Sequence, residues 1–315
     1  MSIDPVILFF LLGIIARLVK SDLRLPEPIY EALSVYLLLA LGLKGGVELA
    51  RHPLATLVPQ TLAVIALGCV LPVLAYVALK QLVRLDRVNA AAIAAHYGSV
   101  SVVTFAAGVA WLEARAIPFE PHLALFLAVL EVPGIVVGVL LARGVGVGTG
   151  AGAALTPMLK EVLAGKSVLL LLGGLAIGAL LGPAELKSTA PLFVDLFKGA
   201  LCLFMLELGL VTGRQFAQLK KSGARLVLFA LITPLLFGAA GAALGGLIGL
   251  SVGGAALLGT LAASASYIAA PAAMRVAVPE ASPGLSLPVV LGVTFPFNVF
   301  VGLGVYHAYA VFLAR

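Results

Sequence analysis

Charged residues are scarce. Only 11% of the 315 residues are Asp, Glu, Lys or Arg, whereas 62% are hydrophobic, and the mean hydropathy is +1.17. An ordinary soluble domain, with about a quarter of its residues charged, is excluded by that balance. Cysteine is nearly absent too. Cys69 and Cys202 stand alone in apolar segments, without ligand spacing, which rules out a disulfide framework or a cysteine metal centre. Enzymatic signatures are missing: there is no Gly-x-Ser-x-Gly elbow, no His-Glu-x-x-His, no P-loop and no Gly-x-Gly-x-x-Gly after a strand. The net charge is +6, but the positive residues are scattered between apolar runs, so no nucleic-acid-binding face exists.

The apolar runs themselves set the class. A bilayer core needs about 20 largely apolar residues per helix. Ten candidate spans follow, over residues 4–18, 30–47, 54–80, 88–112, 121–142, 167–184, 192–212, 226–249, 253–274 and 285–312. The first lacks a basic leader and a small-residue cleavage site, so it reads as a short first helix. Odd-numbered connections hold fourteen Lys and Arg, Lys220 and Lys221 among them, against four in the even ones: Lys44, Arg51, Arg115 and Lys187. Positive residues stay in the cytoplasm, which places both termini outside.

The Gly-rich stretch 144–153 contains no bulky aromatic and reads as a flexible linker. It divides the chain into a five-span half, 1–143, a cytoplasmic linker, 144–165, and a second five-span half, 166–315. Leu41-Gly42-Leu43 answers Leu208-Gly209-Leu210, Ser99-Val100-Ser101 answers Ser264-Ala265-Ser266, and Pro133 answers Pro296. With an odd number of spans per half, the second copy lies upside down. The expected fold is therefore an all-α membrane protein built from two inverted five-helix repeats, an architecture typical of secondary carriers.

The Ser-x-Ser steps sit where polar or broken helix survives only against protein or a cavity. Gly98 permits close approach, Ser99, Ser101 and Thr104 supply hydroxyls, and a helix break there would present free N–H groups at a half-helix N-terminus to an anion. Ser264 and Ser266 form the matched set. Pro271 favours a break near residues 269–271. Carbonyls near Ala270, the two serines and Asn298 are candidate sodium ligands. Each has a packing alternative: serines that bond back to the preceding turn, and an interhelical amide hydrogen bond for Asn298. Glu131, mid-span, must be paired, protonated or facing a wet cavity, and Glu207 poses the same problem. Glu48, Asp195 and Lys198 lie near span ends, where snorkelling is expected. His96 is a proton shuttle or a hydrogen-bonded structural histidine.

At these residues the chain resembles the sodium-dependent bicarbonate permease family known from cyanobacteria and other bacteria. The resemblance is carried by Tyr97-Gly98-Ser99-Val100-Ser101 with Thr104, Leu112-Glu113, Glu131-Val132-Pro133, and Ala262-Ala263-Ser264-Ala265-Ser266 running to Pro271, Arg275 and Pro279. It implies an elevator-type carrier in the bacterial cytoplasmic membrane. Spans one, two, six and seven would form the scaffold, and spans four and nine would cross at the substrate. It also implies a lipid-embedded homotrimer and a PII-like regulator on the cytoplasmic side. The pattern departs at Tyr267, where cyanobacterial members carry an aspartate, and the connection between the halves is shorter here.

The reading is a secondary carrier that moves bicarbonate with sodium, its substrate held by Gly98, Ser99, Ser101, Thr104, Ser264, Ser266 and Tyr267. The alternatives are a carrier of another small carboxylate, proton-coupled through Glu131 or His96, and a membrane-embedded anion sensor.

Overall fold

A computed structural model describes residues 4–144, 151–219 and 222–315. Most of the Gly-rich stretch, residues 145–150, and the pair Lys220 and Lys221 lie outside the described residues. Every regular element among the described residues is helical. The chain opens with α1 (Pro5–Leu18), α2 (Glu27–Leu49) and α3 (Leu54–Ala78), the last continued by a π turn to Val83. Next come α4 (Arg87–Gly98), α5 (Val102–Glu113), α6 (Leu123–Leu130) and α7 (Pro133–Arg143). Within the stretch read as linker, α8 (Ala151–Leu163) is helical.

The rest comprises α9 (Lys166–Ala190), α10 (Phe197–Leu219), α11 (Ala224–Leu247), α12 (Val252–Ala263) and α13 (Ala269–Ala277). The chain closes with α14 (Pro283–Val289), α15 (Phe295–Phe297) and α16 (Leu303–Leu313), joined by π turns into one run. Among the described residues, seven runs are long and apolar enough to cross a bilayer. Pro5–Leu18 and Val252–Ala263 are shorter apolar helices. α10 is 23 residues long but carries Lys198, Glu207 and Arg214. The chain is a multi-pass membrane protein.

Small residues decide which helices meet. α1 crosses α10 where a Cβ on Gly13 would come within 2.9 Å of the Gly209 Cα. α2 crosses α9 in the same way, a Cβ on Gly42 falling 2.9 Å from the Gly174 Cα. Lipid tails are as apolar as leucine, so close backbone approach and van der Waals packing hold such pairs together. α3, α4 and α7 form a second cluster, and α11, α12 and α16 a third. Polar ties cross between clusters: Gln60 Nε2 donates to the Ile248 carbonyl at 2.8 Å, and Tyr97 Oη meets Thr294 Oγ1 at 2.6 Å. The Thr294 hydroxyl donates onward to the Ala230 carbonyl at 2.9 Å. Each such bond satisfies a group that hydrocarbon cannot.

Charged residues are placed according to the same rule. Glu207 is buried and accepts from the Leu25 N–H at 3.3 Å, in the linker before α2. Lys198 reaches Asp4 at 3.5 Å, and Glu48 pairs with Arg51 at 2.8 Å.

Candidate functional site

Two helix breaks face each other inside the molecule. Residues 99–101 are extended between α4 and α5, and residues 264–268 are non-helical between α12 and α13. The Ser101 N–H donates to Ser264 Oγ at 2.9 Å, and the Ser266 N–H donates to the His96 carbonyl at 2.8 Å. Backbone groups freed by one break are thus satisfied by the other, which is what a buried interruption requires.

The break in the second half falls earlier than residues 269–271, where the sequence places it. Ser264 ends α12 and the helix resumes at Ala269, so Pro271 stands in the first turn of α13. There its missing N–H removes no helical hydrogen bond.

Two of the serines cap the helices that follow the breaks. Ser101 Oγ accepts from the Thr104 N–H at 3.2 Å and caps α5; Ser266 Oγ accepts from the Ala270 N–H at 3.1 Å in the first turn of α13. Ser264 Oγ donates to the Leu261 carbonyl at 2.7 Å. Ser99 Oγ reaches the carbonyl of Glu131 at 3.1 Å, covering a group freed where α6 stops before Pro133. Gly98 lies against Pro72, whose Cβ stands 2.6 Å from where a Gly98 Cβ would be.

His96 Nδ1 lies 2.6 Å from the Ser266 carbonyl. A carbonyl only accepts, so Nδ1 carries the hydrogen. The residue therefore holds both the N–H and the carbonyl of Ser266 and clamps the second break to α4. Asn298 is committed too: Nδ2 donates to the Ala263 carbonyl at 3.0 Å, while Oδ1 accepts from Tyr306 at 2.5 Å. Both its polar atoms serve helix packing in this conformation.

Three buried polar atoms here have no hydrogen-bond partner: Thr104 Oγ1, Glu131 Oε2 and the Tyr267 hydroxyl. Such atoms are rare in folded proteins and call for an explanation. Glu131 and Tyr267 both line a cavity of about 10 Å³ together with Ser101, Ser167, Ser266 and Ile268. That is room for one water-sized particle. Glu131, Ser167 and Ile268 also line a neighbouring cavity of about 120 Å³, which runs to Glu161 and Lys166.

Ser167 escaped the sequence reading. It is a lone serine at the start of an apolar span, and only the fold brings it beside Glu131.

A larger cavity of about 310 Å³ lies between α2 and α5, where Lys44 stands 3.9 Å from Glu113 and its ammonium sits over Phe197. None of the unpartnered buried atoms lines it. The smaller cavities, with unsatisfied polar atoms and two helix breaks, are the better candidate.

No protein of curated function matches the chain significantly. A family model described as the Na+-dependent bicarbonate transporter superfamily matches residues 5–311, nearly the whole length, and the chain belongs to that superfamily, a family of transporters rather than enzymes.

Proposed function

We propose that the protein is a secondary carrier that takes up bicarbonate together with sodium, binding the anion where the two helix breaks cross. Glu131 Oε2 and Tyr267 Oη, both buried and without a well-formed hydrogen bond, line one cavity beside those breaks, and this carries the reading. Leaving buried polar groups unmade costs about 1–3 kcal/mol each, so their company is best explained by a polar ligand. The N-terminus of α5 supplies N–H groups and a partial positive charge suited to an anion. Ser101 and Ser266 supply hydroxyls on the wall of the same cavity, and Ser99 and Ser264 flank it in the two breaks. The superfamily's description supplies sodium and bicarbonate.

A cavity of about 10 Å³ is too small for bicarbonate, so binding requires the breaks to move apart. The packing supports two inverted five-helix repeats with a sliding core. α1, α2, α9 and α10 pair through small residues, while the matched clusters α3–α4–α7 and α11–α12–α16 carry the breaks. In this reading the first group is the scaffold, assembled as a trimer, and the second is the moving core. The distribution of basic residues supports a cytoplasmic-membrane orientation with both termini outside.

Uptake by purified protein in liposomes, with sodium and proton gradients imposed separately, tests the proposal. An inward sodium gradient should drive bicarbonate accumulation at constant pH. Accumulation that follows the proton gradient alone would replace it with proton-coupled carboxylate transport, and binding without flux would point to a sensor.

A further inference from the structure

The cavity of about 10 Å³ has the chemistry of a cation site. Glu131 provides the one formal charge on its wall, and no Lys or Arg lines it. Among the described residues Glu131 makes no ion pair, and its Oε2 is buried without a partner. An ionised carboxylate in that position is costly unless a cation stands beside it. The other oxygens on the wall are uncharged. The Tyr267 hydroxyl stands beside the Ser101 side chain without a well-formed hydrogen bond. Ser101 Oγ and Ser266 Oγ each spend one lone pair on a backbone N–H, which leaves a second lone pair for a cation. The space suits one desolvated ion of about the size of a water molecule, and hard cations take oxygen ligands.

We infer that this cavity is the sodium site, with Glu131 as its charged ligand and Ser101, Ser266 and Tyr267 as neutral ones. The assignment rests on the transport reading above and deepens it. It shares Ser266 with the site read from the sequence, and replaces Ser264, the carbonyls near Ala270 and Asn298. None of Ser264, Ala270 and Asn298 lines this cavity.

The placement also couples the two substrates. Glu131 and Ser167 form a wall shared with the cavity of about 120 Å³ through which an anion would approach. With the small cavity empty of sodium, the Glu131 carboxylate repels bicarbonate. Sodium cancels that charge, so it binds first and admits the anion.

The test is thermal melting of the full-length detergent-purified protein in NaCl against choline chloride, alongside bicarbonate binding in each salt. Wild type should melt higher in sodium, because a ligand that binds only the folded state stabilises it. Glu131→Gln should lose that sodium-dependent shift and bind bicarbonate equally well in both salts, since the neutral amide imitates the neutralised carboxylate. Glu131→Asp and Tyr267→Phe, which keep the charge or the ring, should retain the shift with apparent sodium affinity lowered. For the aspartate we expect a loss of about tenfold, one decade of binding constant. A full sodium shift in Glu131→Gln overturns the assignment. If that variant does not fold, wild-type sodium affinity in both Glu131→Asp and Tyr267→Phe overturns it instead. Failure of the anion reading looks different: bicarbonate would not bind wild type in either salt, while the sodium shift remained.

Discussion

The backbone N–H of Ser101 donates to the hydroxyl of Ser264 across 2.9 Å, joining residues 163 positions apart. One hydrogen bond thus ties the start of α5 to the end of α12. Both residues are almost fully buried, so no water can take the place of either partner.

Ser264→Ala should therefore cost more than an exposed cap would. The Ser101 N–H would be left buried and unsatisfied, a penalty of about 1–3 kcal/mol. A lower melting temperature and weaker bicarbonate affinity are expected together, because the same bond holds the α5 N-terminus in place. Unchanged affinity in a folded Ser264→Ala protein would return this serine to a packing role.

Gly134, in the first turn of α7, lies against the backbone of Gly98 at the end of α4. A Cβ there would collide with main-chain atoms, which cannot rotate away as a side chain can. Gly134→Ala should displace α7 from the first break and abolish uptake. Gly173→Ala is the control, since nothing lies within 4 Å of the Cβ it adds. Transport assays on the pair separate crowding at the break from the general effect of replacing glycine in a helix. Equal activities would contradict the close-packed interface described above.

Just before the first turn of α6, at the end of the membrane-crossing run Leu123–Arg143, His122 stands with its ring centroid 4.4 Å from that of His52. Burial, and then the His52 ring, hold its imidazole below the ordinary histidine range; Glu120 and Glu48 oppose the shift more weakly. A histidine held low takes up fewer protons folded than unfolded. Its contribution to stability is present above the unfolded value near pH 6.5 and is lost as pH falls toward the folded value. The melting temperature of wild type should drop on acidification below about pH 6.5 more steeply than that of His122→Phe. Parallel pH profiles for the two proteins would show that His122 is not the group responsible.

Much of this molecule is legible from composition and pattern. Hydropathy alone demands membrane-spanning helices, because long apolar stretches with few charges leave the backbone no other way to satisfy its hydrogen bonds in lipid. The Ser-x-Ser steps announce the two interruptions because small polar residues stand out against leucine and valine. Glu131 announces itself in the same way, as a charge where charge is costly.

Other features are settled by through-space contact, to which a linear pattern is blind. Ser167 joins Glu131 only because the start of α9 packs near the gap between α6 and α7. The sequence leaves His96 as a proton shuttle or a hydrogen-bonded structural histidine, and Asn298 as an ion ligand or an interhelical tie. In the fold, Ser266 takes Nδ1 of His96, and Ala263 with Tyr306 takes the Asn298 amide, since a buried donor or acceptor must find the nearest partner. The second break was misplaced by a few residues for a related reason. Proline marks a position that cannot donate, but such a position fits a first turn as well as a gap, and the serine hydroxyls at 264 and 266, bonded across to the first break, set where the helix stops.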